Sequence, residues 1–208
     1  MRCYHRVGMP PRLSAVDRRE QLLAVALSTF AGAGYHETSM NDVADAAGVT
    51  KPVLYQHFES KRDLYQALLD DVGHRLVTAV TSATADAENG RQRTERGFRA
   101  YFHWVAENRE AFLLLFGGSS RVDPEFAEAV RRVTAQAADA IAPLIDVGVD
   151  AEHQLTLAHA IVGMSEAASR RLLERGEPFD ADEVAAQLGT LAWAGLRAFT
   201  HATATAGD

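Results

Sequence analysis

Apolar residues recur three and four positions apart along almost the whole chain, and nowhere do they alternate with polar ones for long. That period belongs to helices, so the sequence predicts an all-α fold of about nine helices. The first runs from about Asp17 through Leu22, Leu23, Ala26 and Phe30 to a turn at Gly32-Ala33-Gly34. Met40, Val43, Ala44 and Ala47 mark a short second helix, with Thr38 or Ser39 as its cap. Gly48 breaks the chain, and Leu54 and Phe58 mark a short third helix capped by Thr50 and opened by Pro52. Ser60-x-x-Asp63 resembles a capping box and opens a long fourth helix to about Ala85. The polar stretch Asp86 to Thr94 reads as a separator before a fifth helix through Phe98, Phe102 and Val105 and a short sixth from Ala111 to Phe116. Asp123-Pro124 opens a seventh, Asp150 an eighth that closes near Gly176, and Asp180-x-x-Glu183 a ninth to about His201, ahead of a frayed tail.

The 208 residues are 47 % hydrophobic and 24 % charged, the balance of an ordinary folded domain or two. The one cysteine, Cys3, excludes an internal disulfide and a cysteine metal cluster. No apolar run reaches the length of a membrane span, and Met1 to Pro11 lacks the apolar core of a signal peptide, so a cytoplasmic protein with no membrane partner is expected. The net charge of −7 is unevenly spread. Residues 1–65 hold eight Lys/Arg and seven Asp/Glu, for +1; residues 66–208 hold thirteen and twenty-one, for −8. An acidic chain can therefore still carry a locally positive N-terminal face.

A helix, a glycine turn and a second short helix form the helix-turn-helix pattern between about residues 38 and 58. The first helix braces and the second lies in the major groove, which needs a small residue at the turn, here Gly48, and apolar anchors beneath. Val43, Ala47, Val49, Leu54 and Phe58 are those anchors, and Thr50, Lys51, Tyr55, Gln56 and His57 can hydrogen-bond to DNA.

The stretches Thr38-Ser39-Met40, Val43-Ala44-x-x-Ala47-Gly48-Val49-Thr50 and Leu54-Tyr55-x-His57-Phe58-x-x-Lys61-x-x-Leu64 resemble the DNA-binding domain of the tetracycline-repressor family, over residues 17 to about 70. The resemblance implies an all-helical homodimer: an N-terminal three-helix domain (17–65) on double-stranded operator DNA, and a C-terminal domain (66–208) for effector binding and dimerisation. It also implies that Tyr55, His57 and the backbone around Lys61 hold phosphates, and that Thr38 or Ser39, Thr50, Lys51 and Pro52 lie at or near the DNA. Beyond about Asp70 only the number and order of helices match.

Residues 1–16 form a flexible arm with Arg2, Arg6 and Arg12, either a minor-groove contact or a disordered tail, with Met9 a second candidate start. Enzyme readings find little support. His153 and His159 are six apart, no His-Glu-x-x-His exists, and Gly117-Gly118-Ser119-Ser120 lacks the ending of a phosphate loop. No cofactor or metal is expected. The aromatics of the fifth and sixth helices make an apolar effector pocket plausible, and Phe98, Phe102, Phe112, Phe116 and Met164 are its expected lining. For the dimer, the eighth helix offers Leu155, Val162 and Leu172, and the ninth Val184, Leu188, Leu191, Gly195 and Phe199. These readings point to a repressor released from operator by a small apolar or amphipathic effector. The competing reading is a dimeric DNA-binding regulator without an effector.

Overall fold

A computed structural model describes residues 14–117 and 124–205. The expected arm up to Leu13, the Gly118-Ser119-Ser120 loop and the Asp123 start signal lie outside the described residues. Helices carry the described residues throughout: α1 Ala15–Ala33, α2 Met40–Ala46, α3 Lys51–Tyr55, α4 Lys61–Thr84, α5 Gly90–Glu107, α6 Arg109–Phe116, α7 Pro124–Ile141, α8 Ala151–Glu174 and α9 Ala181–Thr205, with one 3₁₀ turn, Ala142–Leu144.

Short polar side chains set the helix starts. Ser14 caps α1, and Asp17 returns the bond to its N–H, a capping box that begins the helix two residues before the expected Asp17. Ser60 accepts from Asp63 N–H at 3.0 Å, but the Asp63 carboxylate reaches back to Glu59 N–H at 2.9 Å rather than to Ser60. Asn89 accepts from Gln92 N–H at 2.9 Å, so α5 begins at Gly90, inside the stretch expected to be a separator. Pure polarity in that stretch concealed a cap. Asp150 and Asp180 open α8 and α9 as expected, and α9 continues past His201 to Thr205.

The core does not divide at residue 65. One apolar cluster runs from Leu22, Ala26 and Phe30 of α1 and Val43, Leu54 and Phe58 of the head, along Leu64, Leu68, Leu69 and Val72 of α4, to Phe112 and Leu115 of α6 and Phe126 and Val133 of α7. Its joint is aromatic. Tyr65 meets Phe30, Tyr35 and Phe126 at ring distances of 5.0, 4.9 and 4.5 Å, and Tyr35 meets Phe126 at 4.5 Å. Just beyond the joint α4 and α7 touch so closely that a Cβ at Gly73 would lie 2.4 Å from Val133 Cγ1. Only glycine fits there. Arg132 bonds Asp70 across the same pair at 2.7 Å.

Further from the head, α5 is sandwiched between α4 and α9. Phe98, Phe102, Ala181 and Ala185 form a second cluster there. Gly189 packs on Phe98, and Arg99 and His103 both hold Asp182 at the start of α9.

Candidate nucleic-acid interface and effector cavity

The head is built around one left-handed glycine. Gly48, at φ +64°, lets Val49 N–H return to Ala44 C=O at 3.0 Å, which ends α2 and turns the chain into α3. Ser39, not Thr38, caps α2. Ser39 Oγ accepts from Asp42 N–H, and Asp42 Oδ2 accepts from Ser39 N–H at 2.7 Å. The Ser39 side chain, then its backbone, hold the Asp42 carboxyl below its ordinary value. Thr50 begins α3 through its backbone, and its hydroxyl makes no cap bond. Val43, Leu54 and Phe58 are buried, with Ala47 and Val49 packed against them.

That packing turns Thr50, Lys51, Pro52, Tyr55 and Gln56 outward, with His57 half-buried beside Phe58. Tyr55 is 44 % exposed, and Lys51 Nζ lies 5.9 Å from its ring centre. An apolar-bodied ring left in solvent next to a cation is a surface built to meet something.

Two expected DNA contacts are placed otherwise. Thr38 is only 2 % exposed, and its hydroxyl donates to Gly34 C=O at 2.7 Å. Its side chain has no face towards a ligand. Lys61 Nζ donates to the carbonyls of Tyr35, Thr38 and His36 at 2.8, 2.9 and 3.3 Å, and sits 4.4 Å from the Tyr35 ring centre. An ammonium has three donors, and all three are occupied. Lys61 therefore ties the α1–α2 loop to the start of α4 rather than offering its charge outward. Its backbone lies in the first turn of α4.

The second site is an apolar cavity of about 110 Å³, open in part to solvent. It is walled by α4 from Gly73 to Thr84, α5 from Gly90 to Tyr101, Phe116 of α6, Val133 to Ile145 of α7 and its 3₁₀ turn, Ile161 to Glu166 of α8, and Trp193 and Leu196 of α9. From Gly73 to Thr84 α4 advances about 16 Å, so the cavity is elongated along that helix. The Gly73–Val133 contact lies at one end. Arg93 lies towards the other, donating to Leu144 C=O at 3.1 Å, near exposed Asp146.

Of the expected pocket residues, Phe98 and Phe116 line this cavity. Phe102, Phe112 and Met164 do not: Phe112 is sealed in the central core, and Phe102 and Met164 pack in the α5–α9 cluster. Aromatic density marked the filled core rather than the void. The void follows a different stripe on α5, Gly90, Arg93, Thr94, Gly97, Phe98 and Tyr101, spaced three and four apart. A glycine inside a helix, here Gly97, is unfavourable for the helix itself, and that cost is the signal that space is wanted beside it.

Among the expected dimer residues, Leu191 and Phe199 are 60 % and 40 % exposed, and nothing approaches a Cβ built on Gly195. Beside them in sequence pattern, α8 exposes Ala160, Gly163 and Ala167. Leu172, Val184 and Leu188 are half-buried against the α5–α9 cluster, and Leu155 and Val162 against a cluster around Ala158 and Leu196. Val162 also lines the cavity.

The fold and its head define a helix-turn-helix DNA-binding regulator with a cavity in its helical C-terminal domain. Residues 22–68 match the family described as bacterial regulatory proteins, tetR family, and residues 91–195 the tetracyclin repressor-like C-terminal domain. A relative, the HTH-type transcriptional activator FasR of Mycolicibacterium smegmatis, is 35 % identical over 187 residues, 89 % of this chain and 85 % of the relative. The HTH-type transcriptional repressor KstR2 of the same organism is 30 % identical over 100 residues, 48 % of each chain. A TetR-like regulator from Rhodococcus sp. RHA1 superposes with a TM-score of 0.71 at 29 % identity, covering 89 % of this chain and 98 % of that one. The FadR regulator of Bacillus subtilis, solved with stearoyl-CoA, shares the fold at a TM-score of 0.73 and 13 % identity, over 83 % of this chain and 96 % of its own. The chain belongs to the tetR family of bacterial transcriptional regulators.

The Lys61 clamp yields a test. Lys61→Met keeps the stem and removes three charge-assisted bonds, each of a kind worth about 1.5–3 kcal/mol singly and less than additive together. The expected result is a lower denaturation midpoint even without DNA. A variant that loses operator affinity at unchanged stability would make Lys61 a DNA contact after all.

Proposed function

We propose that the protein is an effector-gated repressor. It grips a near-palindromic operator as a homodimer and releases it when an acyl-type amphipathic molecule fills the cavity. The observation that carries this reading is the cavity itself. Protein interiors are packed to crystal density, so an apolar cavity of about 110 Å³ lined by six helices is a cost the core would otherwise remove. Ligand sites are mainly apolar with a few polar groups to orient the ligand, and Arg93 supplies a cation in the lining for an acidic headgroup. The FadR neighbour of this fold carries stearoyl-CoA, a ligand of the same chemical kind. On the DNA side, Thr50, Lys51, Pro52, Tyr55 and Gln56 form the proposed groove and phosphate surface, with Ser39, His57 and the first turn of α4 beside it.

A ligand changes DNA affinity only by its different affinity for the two states of the head, typically about 1–3 kcal/mol of coupling. Filling a cavity lined by six residues of α4 displaces that helix, and α4 carries the head. The test uses oleate and duplex DNA from upstream of the protein's own gene. Oleate is expected to release the duplex from the native protein. Val80→Phe, which turns a ring into the cavity over Gly97, should weaken oleate binding by at least roughly tenfold and leave operator affinity within about twofold. Release of DNA by oleate from the blocked variant as readily as from the native protein would remove the cavity from the mechanism.

The outward face of α8 and α9 is the proposed dimer surface. Leu191→Glu puts a charge on a side chain that is 60 % exposed in the protomer, so monomers are expected in sedimentation velocity, with operator binding lost as the second head is lost. Leu188 is a poorer probe, because its substitution also opens the α5–α9 cluster. A Leu191→Glu protein that sediments as a dimer would move the interface elsewhere.

A further inference from the structure

The two ends of the cavity differ. At one end Gly73, Leu76, Phe116 and Val133 are all buried. At the other stands Asp146, the one exposed residue of the lining, so the cavity reaches solvent there, beside half-buried Arg93 and Leu144. Arg93 Nη1 donates to Leu144 C=O at 3.1 Å, the one bond it makes among the described residues. Arg91, Arg99, Arg132 and Arg170 each pair with a carboxylate, and Arg93 does not. A guanidinium carries five N–H donors in a fixed fork, so four are left for a ligand. The fixed charges around this opening are acidic. Asp146 is in the lining, and exposed Asp86 and Glu88 stand in the turn between Thr84 and Gly90, two further lining residues. Arg91, next to that turn in sequence, is held by Glu95 at 2.8 Å.

We propose that the effector is a free carboxylic acid held by the Arg93 guanidinium, and that the acidic rim turns away the phosphate-bearing thioester of the same acid. The inference rests on the effector reading above and deepens it. A carboxylate brings two oxygens and a full charge, which the guanidinium fork meets with two parallel bonds. An alcohol or ester head offers only neutral oxygen, and neutral hydrogen bonds are about half as strong as charge-assisted ones. A thioester carbonyl is no better. The phosphates of its carrier would lie outside the opening among Asp86, Glu88 and Asp146, where like charges repel. The direction of the tail follows. With the head at Arg93, the apolar chain runs along α4 towards the buried end at Gly73 and Val133. A regulator built in this way responds to acid released by ester or thioester hydrolysis, and not to acyl groups already activated on a carrier.

The probes are oleate, oleyl alcohol and oleoyl-CoA, which share one chain and differ in the head. Their affinities for the native protein, below the concentrations at which they form micelles, can be read by calorimetry and by tryptophan fluorescence, since Trp193 stands in the cavity wall. Oleate should bind at least roughly tenfold more tightly than either of the others, the equivalent of one charge-assisted hydrogen bond. In Arg93→Gln, which keeps a donor for Leu144, the preference for oleate over the alcohol should collapse towards one, with operator binding retained as the folding check. Asp86→Asn combined with Glu88→Gln should raise the affinity for oleoyl-CoA and leave that for oleate unaltered. Equal binding of oleate and oleyl alcohol by the native protein, or a preference that survives Arg93→Gln, would overturn the Arg93 anchor while leaving the effector reading intact. Oleoyl-CoA bound as tightly as oleate would overturn the free-acid assignment. Binding of none of the three would remove the effector reading together with it.

Discussion

Everything in this molecule hangs on α4 belonging to two structures at once. Its first half, with Leu64, Leu68, Leu69 and Val72, is core to the DNA-binding head, and its second half, from Gly73 to Thr84, is a wall of the cavity. A helix of 24 residues is a rod of about 36 Å that transmits displacement rather than absorbing it. The Gly73–Val133 contact is where the two halves meet, and it has no slack. In the proposed mechanism, filling the space on one side of such a fulcrum is resisted by close packing on the other, and the rod tilts. The aromatic joint of Phe30, Tyr35, Tyr65 and Phe126 and the Lys61 clamp bind the head to that rod, so the head follows it.

The same construction explains an electrostatic oddity. With a near-neutral head on an acidic body, the protein has few cations for phosphates, and Lys61 is turned inward. The proposed DNA surface offers Lys51, with exposed hydroxyl, amide and phenol groups and backbone N–H groups at helix starts. Such contacts position a protein on DNA through geometry more than through charge. A binder of that kind is sensitive to the angle and separation of its two heads, which suits control by a lever.

Much of this was legible in the chain. The helical period, the caps at Ser60, Asp150 and Asp180 and the Gly48 turn follow from local chemistry, and local chemistry is what sequence displays. The start of α5 was hidden because Asn89 caps a helix whose first turns are polar, so no apolar period announces it. The cavity was harder still. Phe102 and Phe112 look like lining from their type alone, yet they fill the core, and the lining depends on what four other helices leave empty. Side-chain roles that need a distant partner were equally out of reach. Nothing in the neighbourhood of Lys61 reveals that three carbonyls of residues 35–38 surround its ammonium, or that Thr38 spends its hydroxyl on Gly34.

The central claim is mechanical: a ligand in the cavity moves the heads. With Cys3, the one cysteine, replaced by serine and exposed Glu59 replaced by cysteine, a single spin label sits beside each recognition helix. Pulsed dipolar spectroscopy on the dimer then reads the distance between heads directly. A narrow distribution is expected on operator DNA, where the recognition helices are spaced by one turn of the duplex, about 34–36 Å, or a multiple of it. Saturation with oleate should shift that distribution by several ångströms. An unchanged distribution in a protein that has bound oleate and released its operator would contradict the account.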